Sequence, residues 1–231
     1  KIALDALKEN VEAAQKEESY GSQCTGSVVV LDVNDFSVLC AQSYPNYDLD
    51  KYMNDPQYRE DLLLNKDGQN AMWNRCFWQG YPIGSAMKPA VALAALQEGV
   101  IDTSTQFRCG YTYYNADMPD FHPLCMGTHG YLNVIEALTV SCNIFFYDTG
   151  YNLGIDNMNL YQRKLGLGEL TGVEIYESDG TLAGPDEKED WYGGDTIMAA
   201  IGQSDNLITP VQLATYAATI ANNGTRLRTH V

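Results

Sequence analysis

The sequence predicts a mixed α/β fold, with an antiparallel central sheet flanked by helices. Three observations carry this expectation. The apolar run Val28-Val29-Val30-Leu31, an Asn34-Asp35 turn and a second strand-like segment read as a β-hairpin. The long stretch from Ser85 towards Gly99 is almost wholly apolar or small, as expected of a helix inside a core. The chain has 231 residues of which 45% are hydrophobic, enough for one large core or two small ones and far from a disordered composition.

Taken in order, Leu4, Leu7, Val11 and Ala14 recur at helical spacing and predict a first helix over residues 2–16. Residues 20–26 read as a loop. The hairpin follows, with strands over 26–32 and 36–43, and its unbroken apolar run predicts cover on both faces. Residues 44–80 are dense in Pro, Asn, Asp and Tyr and read as loops with short helical turns. Pro82-Ile83-Gly84 then leads into the helix that begins at Ser85, with Pro89 near its start, where a missing N–H is tolerated. Residues 102–130 read as polar and irregular. Helices are expected over 133–141, 144–153 and 158–165, and residues 171–195 read as acidic loop. Thr209-Pro210 supplies a cap and first-turn proline for a last helix that stops near Asn223-Gly224. The apolar stretches around Leu93 and Val211 are too short and interrupted to span a bilayer.

Lys and Arg number 14 against 30 Asp and Glu, a net charge of −16 with no basic stripe, so nucleic acid is a poor partner. The acidic residues are spread along the chain and read as a solvated surface. The six cysteines, Cys24, Cys40, Cys76, Cys109, Cys125 and Cys142, are too few and dispersed for a disulfide scaffold. Cys40 and Cys142 lie in apolar runs and read as buried thiols.

Ser85-Ala86-Met87-Lys88 places a hydroxyl and an amine about one helical turn apart. An alcohol needs a base to become a nucleophile, and a lysine amine serves when burial lowers its pKa. Alone, the pair also reads as an N-cap and a surface charge, but Ala86, Met87, Ala90 and Val91 form an odd setting for an unpaired lysine. A second cluster, Ser141-Cys142-Asn143, sits between two apolar helical segments. Its serine can relay a proton, and its asparagine can bind an amine and a carbonyl together. Alone, it also reads as a polar loop.

Together, Tyr81-Pro82-Ile83-Gly84-Ser85-Ala86-Met87-Lys88-Pro89 and Ser141-Cys142-Asn143 resemble the nucleophile segment and the Ser-x-Asn element of the penicillin-binding protein transpeptidase domain, class B type. Asn74-Arg75, Gly166-Leu167-Gly168 with Thr171-Gly172, and Ile201-Gly202-Gln203 leading to Thr209-Pro210-Val211-Gln212-Leu213-Ala214 are similar to that family as well. The resemblance implies a β-lactamase/transpeptidase-like fold. It implies a Ser85 acyl-enzyme formed on the D-Ala-D-Ala end of a peptidoglycan stem peptide, with Lys88 as base, Ser141 in the relay and Asn143 positioning both substrate and Lys88. The Ser85 N–H would supply half of an oxyanion hole. β-Lactams would trap Ser85. A membrane anchor preceding these residues, an extracytoplasmic location and cell-wall partners such as a glycosyltransferase are implied too. A serine D,D-carboxypeptidase or β-lactamase, and a β-lactam sensor or scaffold domain, are the competing readings.

The family's Lys-Thr/Ser-Gly triplet is absent from the sequence, and one hairpin leaves an unpaired edge. Residues 1–231 are therefore expected to be the N-terminal and central part of one transpeptidase domain, whose remaining strands lie elsewhere. Cys109, Asp117, Asp120, His122 and Cys125 share one loop-rich span. Two thiols, an imidazole and a carboxylate are a reasonable set for zinc, and Cys109, Asp120, His122 and Cys125 are the favoured four. Zinc near the cleft in some class B proteins supports the assignment. A Cys109–Cys125 disulfide and unlinked thiols are the alternatives. A zinc ion with four protein ligands would be structural, and His129 is expected to shape the loop before residue 133.

Overall fold

The computed structural model describes residues 1–17 and 24–231, so most of the loop expected over 20–26 lies outside the described residues. The chain divides into two units. The first comprises the described residues up to Gln79, with Leu170–Asp179 and Thr209–Val231; the second comprises Gly80–Glu169 and Gly180–Ile208.

In the first unit, helix α1 (Ile2–Ala14) packs against a hairpin of β1 (Gly26–Leu31) and β2 (Val38–Tyr44). The strands are antiparallel, from Gly26 opposite Tyr44 to Val30 opposite Cys40, with an irregularity between Val30 and Leu31. Asp32 shapes the turn, its carboxylate accepting from the Asn34 N–H at 2.8 Å. The last helix of the chain, α9 (Pro210–Ala221), packs on β1. The expected Thr209 cap forms: its hydroxyl accepts from the Gln212 N–H, and the Gln212 side chain accepts from the Thr209 N–H. Cys76, Phe77, Val173 and Val211 form the buried centre, flanked by Val29, Ala41 and Trp78. The expectation of cover on both strand faces is not met, since Val30 is 42% and Leu39 64% exposed. Residues 44–80 hold two short helices, α2 (Leu49–Asn54) and α3 (Pro56–Leu63), capped by Asp48 and Asp55.

In the second unit a single 3₁₀ turn, Gly84–Met87, feeds α4 (Lys88–Gln97). Helix α4 is apolar on nearly every side and lies against α6 (Asn143–Leu153) and α7 (Ile155–Lys164). Gly150 of α6 faces Ala200 so closely that a Cβ there would overlap it, and α8 (Gly193–Ala199) packs on this helix. Residues 102–130 are more ordered than expected. β3 (Phe107–Cys109) pairs antiparallel with β4 (Gly130–Leu132), and Phe107 stands edge-on to Phe145 of α6 at 5.2 Å. Helix α5 (Val134–Thr139) begins on an Asn133–Glu136 capping box. Among the described residues, the antiparallel strands flanked by helices are thus present as two two-stranded sheets, one in each unit. Among the described residues, no helix is long and apolar enough to cross a membrane.

Candidate active site

The serine, the lysine and the Ser-x-Asn element meet within the second unit. Lys88, the first residue of α4, is 1% exposed, and its ammonium lies 5.6 Å from the ring centre of Phe146. A buried ammonium must find acceptors. Lys88 finds three, donating to the Ser141 carbonyl at 2.7 Å, the Ser141 hydroxyl at 2.9 Å and Asn143 Oδ1 at 2.7 Å. Burial pulls its pKa down to about 8, against a smaller upward pull from the nearby Cys125 and Cys142 thiols.

Ser85 is exposed, one turn before Lys88, yet the described residues contain no direct hydrogen bond between the two side chains. Ser141 stands between them, its hydroxyl donating to Ser85 Oγ at 3.0 Å. The side chains therefore form a line, Lys88 to Ser141 to Ser85, that can carry a proton in either direction.

The local fold of Ser141 follows from the end of α5. The Ser141 N–H bonds the Leu138 carbonyl and the Cys142 N–H bonds the Ala137 carbonyl, the Schellman pattern of helix termination. That pattern needs a left-handed residue, and Ser141 supplies it with φ +51°, where glycine is usual. The chain then enters α6 at Asn143. A non-glycine residue held in this conformation is strained. The Asn143 amide also makes a long bond, 3.4 Å, to the Leu124 carbonyl.

The segment before Ser85 is held from behind. Gly84 donates to the Gly202 carbonyl at 3.0 Å, and a Cβ on Gly202 would fall onto the Gly84 carbonyl. Gly202 has φ +73°; Gly68 has the same φ but nothing within 4 Å of its would-be Cβ. Gly68→Ala should therefore cost only the left-handed conformation, about 1 kcal/mol. Gly202→Ala should cost roughly 3 kcal/mol or more, because backbone must move as well. Matched thermal melts check this, and equal losses would show that the close approach is not tight.

A second cluster lies directly behind Ser141 and Asn143. The ligand atoms of Cys109, Cys125, His129 and Cys142 all lie within 4.8 Å of one another, and the three thiols are buried. His129 Nδ1 is 3.5 Å from Cys109 Sγ and 3.6 Å from Cys125 Sγ, and Cys125 Sγ is 3.9 Å from Cys142 Sγ. Backbone N–H groups at Gly127, Ile144 and Asn143 outweigh the burial of Cys125 and pull its thiol down, whereas burial pushes Cys142 up. All six cysteines are free, so there is no Cys109–Cys125 disulfide.

This corrects the expected ligand set. Asp120 and His122 are exposed and outside the cluster, with His122 against the Tyr114 ring at 4.8 Å. His129 and Cys142 take their places. The cause is the β3–β4 pairing, which sets Cys109 opposite Gly130 and so brings His129 alongside it. Spacing alone shows Asp-x-His but not a pairing across some twenty residues. The available signal was Cys142, which lies between two residues assigned to the reaction and so must turn its side chain elsewhere. Three thiols and one imidazole are a complete tetrahedral donor set for zinc, and they fit that ion better than the mixed set expected.

The Penicillin binding protein transpeptidase domain family matches residues 26–231. The chain is 31% identical over 213 residues to a peptidoglycan D,D-transpeptidase MrdA of Acinetobacter baumannii, covering 89% of this chain and 32% of that protein. It superposes on a chain from a study of polymerization and crosslinking by a peptidoglycan synthase complex, with a TM-score of 0.86, 30% identity, and coverage of 100% of this chain and 41% of the other. For the ceftriaxone acyl-enzyme of Mycobacterium tuberculosis penicillin-binding protein A, the TM-score is 0.79 and the identity 26%, over 96% of this chain and 50% of the other. The chain thus spans about a third of the curated relative and about half or less of these solved chains. On this match and on the Ser85, Lys88, Ser141 and Asn143 geometry, the chain belongs to the penicillin-binding protein transpeptidase domain family.

Proposed function

We propose that the protein carrying this chain is a class B peptidoglycan D,D-transpeptidase, working at the extracytoplasmic face of a bacterial membrane and blocked by β-lactams. The observation that carries this reading is the hydrogen-bonded line from buried Lys88 through Ser141 to exposed Ser85. When Lys88 loses a proton, its two remaining N–H groups still serve Asn143 Oδ1 and the Ser141 carbonyl, and its lone pair accepts from the Ser141 hydroxyl. Ser141 Oγ is then free to accept from Ser85.

Ser85 Oγ attacks the carbonyl carbon of the penultimate D-alanine. Its proton passes to Ser141, whose own proton passes to Lys88. The tetrahedral intermediate collapses, the bond to the terminal D-alanine breaks, and its amine leaves with the proton returned by the relay. The amine of a second stem peptide attacks the resulting ester and gives up a proton along the same line. Ser85 departs and is reprotonated, and a cross-link remains. Asn143 can exchange its long bond to Leu124 for one to the substrate carbonyl. A glycan-polymerising glycosyltransferase is a partner that fits this chemistry, since it supplies the strands to be joined.

We also propose a structural zinc ion held by Cys109, Cys125, His129 and Cys142. With four protein ligands, it supplies a fixed anchor and no open coordination position.

The decisive experiment is intact mass of the protein after exposure to a penicillin. One covalent adduct per chain is expected for the parent and none for Ser85→Ala. A folded parent that takes up no adduct would overturn the reading, and rapid release of the adduct would favour a hydrolase.

The pH profile tests the base. Only neutral Lys88 can accept a proton, so the acylation rate should rise with pH and level off above about 8. A flat profile from pH 6 to 10 would remove Lys88 from that role. The same group affects stability. Below about 8 it is charged in both states and its burial penalty is present in full; the penalty disappears as pH rises towards 10.5.

A further inference from the structure

We propose that an aromatic pocket in the first unit, separate from the Ser85 site, binds a neutral N-acetylated hexosamine glycan. The cavity has a volume of about 340 Å³, the size of a small-ligand site. It is lined by Tyr47, Trp73 and Trp78, by Asn46 and Asn74, and by Ser43, whose hydroxyl already accepts from the Arg75 N–H at 3.0 Å. No charged side chain lines it, although the chain carries a net charge of −16. A phosphate, a peptide terminus or a cationic side chain would lose its water here and meet no counter-charge.

Indole, phenol and amide groups together match one chemistry well. A pyranose ring offers an apolar C–H face that stacks on an aromatic ring, with hydroxyls and an acetamido group around its edge for amide partners. Trp73 is 44% exposed, so such a face is open to a ligand. The Asn46 side chain and the Asn74 NH₂ make no hydrogen bond among the described residues, while Asn74 Oδ1 accepts from the Cys76 N–H at 3.2 Å.

The two indoles are held by hydrogen bonds from behind before any ligand arrives. Trp78 donates its indole N–H to the Tyr176 carbonyl at 3.1 Å and stands at 84° to Trp73, with ring centres 5.4 Å apart. The buried Arg75 guanidinium binds the carbonyls of Gln69, Asn70 and Trp73 at 2.6, 3.2 and 3.3 Å, fixing the loop that presents Trp73. The two indoles therefore need little ordering on binding. An enzyme joining peptides carried on amino-sugar strands would gain from a second hold on the strand; that use rests on the transpeptidase reading, whereas the ligand chemistry does not.

The test is saturation-transfer NMR and calorimetry on the intact protein with tri-N-acetylchitotriose, cellotriose and a proline-rich decapeptide. The acetylated trisaccharide is expected to bind saturably, with transfer to its acetyl methyls. Trp73→Ala should weaken it roughly tenfold or more, and exposed Asn46→Ala should weaken it with the fold unchanged by circular dichroism. No binding, equal binding by Trp73→Ala, equal affinity for cellotriose, or preference for the decapeptide would each overturn the proposal. Penicillin acylation, measured on the same sample, keeps the two readings apart. Acylation without sugar binding removes only the glycan site, and sugar binding without acylation removes only the transpeptidase reading.

Discussion

Replacing Lys88 with alanine is expected to slow penicillin acylation of Ser85 roughly a thousandfold or more, the scale of a positioned general base. Three consequences combine. The proton acceptor at the end of the line is gone, Ser141 loses the group that orients its hydroxyl, and the Asn143 amide loses its tether. Lys88→Arg should not restore the rate. A guanidinium keeps its charge at every working pH and cannot accept a proton, and its planar fork does not fit an ammonium's three acceptors. Stopped-flow acylation at pH 9, with circular dichroism on each variant, checks this. An arginine variant acylating within tenfold of the parent would mean that Lys88 acts only as a fixed charge.

Loss of one thiol from the buried cluster is the second large effect. On the proposed zinc site, Cys125→Ser is expected to abolish metal binding and to lower stability by about 4 kcal/mol, or roughly 10 °C for a domain of this size. Cys125 is the informative position because its sulfur also accepts the Asn143 N–H at 3.3 Å, so its removal loosens the start of α6 as well. Asp120→Asn and His122→Ala should leave metal content and melting temperature unchanged, because both side chains are exposed and lie elsewhere. Elemental analysis and calorimetry on the purified protein decide it. Metal-free parent protein, or parent whose melting is indifferent to a chelator, would reduce the cluster to packed thiols.

The parts of the fold legible in the sequence are those whose information is local. The Thr209-Pro210 cap, the α4 run and the hairpin turn at Asn34-Asp35 each announce themselves within a few residues. So does the pairing of a serine and a lysine one turn apart. What escaped depends on partners distant in sequence. Strands β3 and β4 have three residues each, too short for any alternation to register, and they exist because Phe107 finds Leu132 and Phe145. The thiol–imidazole cluster was misread for the same reason: His129 reaches Cys109 only through that pairing. Helix α8 was missed because two glycines open it and its apolar residues are few. The relay order was also beyond reach, since only the left-handed turn at Ser141 sets its hydroxyl between the other two groups.

That turn has a consequence for how the protein can evolve. Ser141, Cys142 and Asn143 are consecutive, yet the outer two hydrogen-bond to Ser85 and Lys88 and the middle one belongs to the thiol cluster behind them. A codon change at any of the three is pleiotropic. A variant that alters position 142 would disturb the buried thiol cluster in the same step. Selection therefore has few independent ways to tune this tripeptide, and adaptive variation should collect on the exposed walls of the cleft instead.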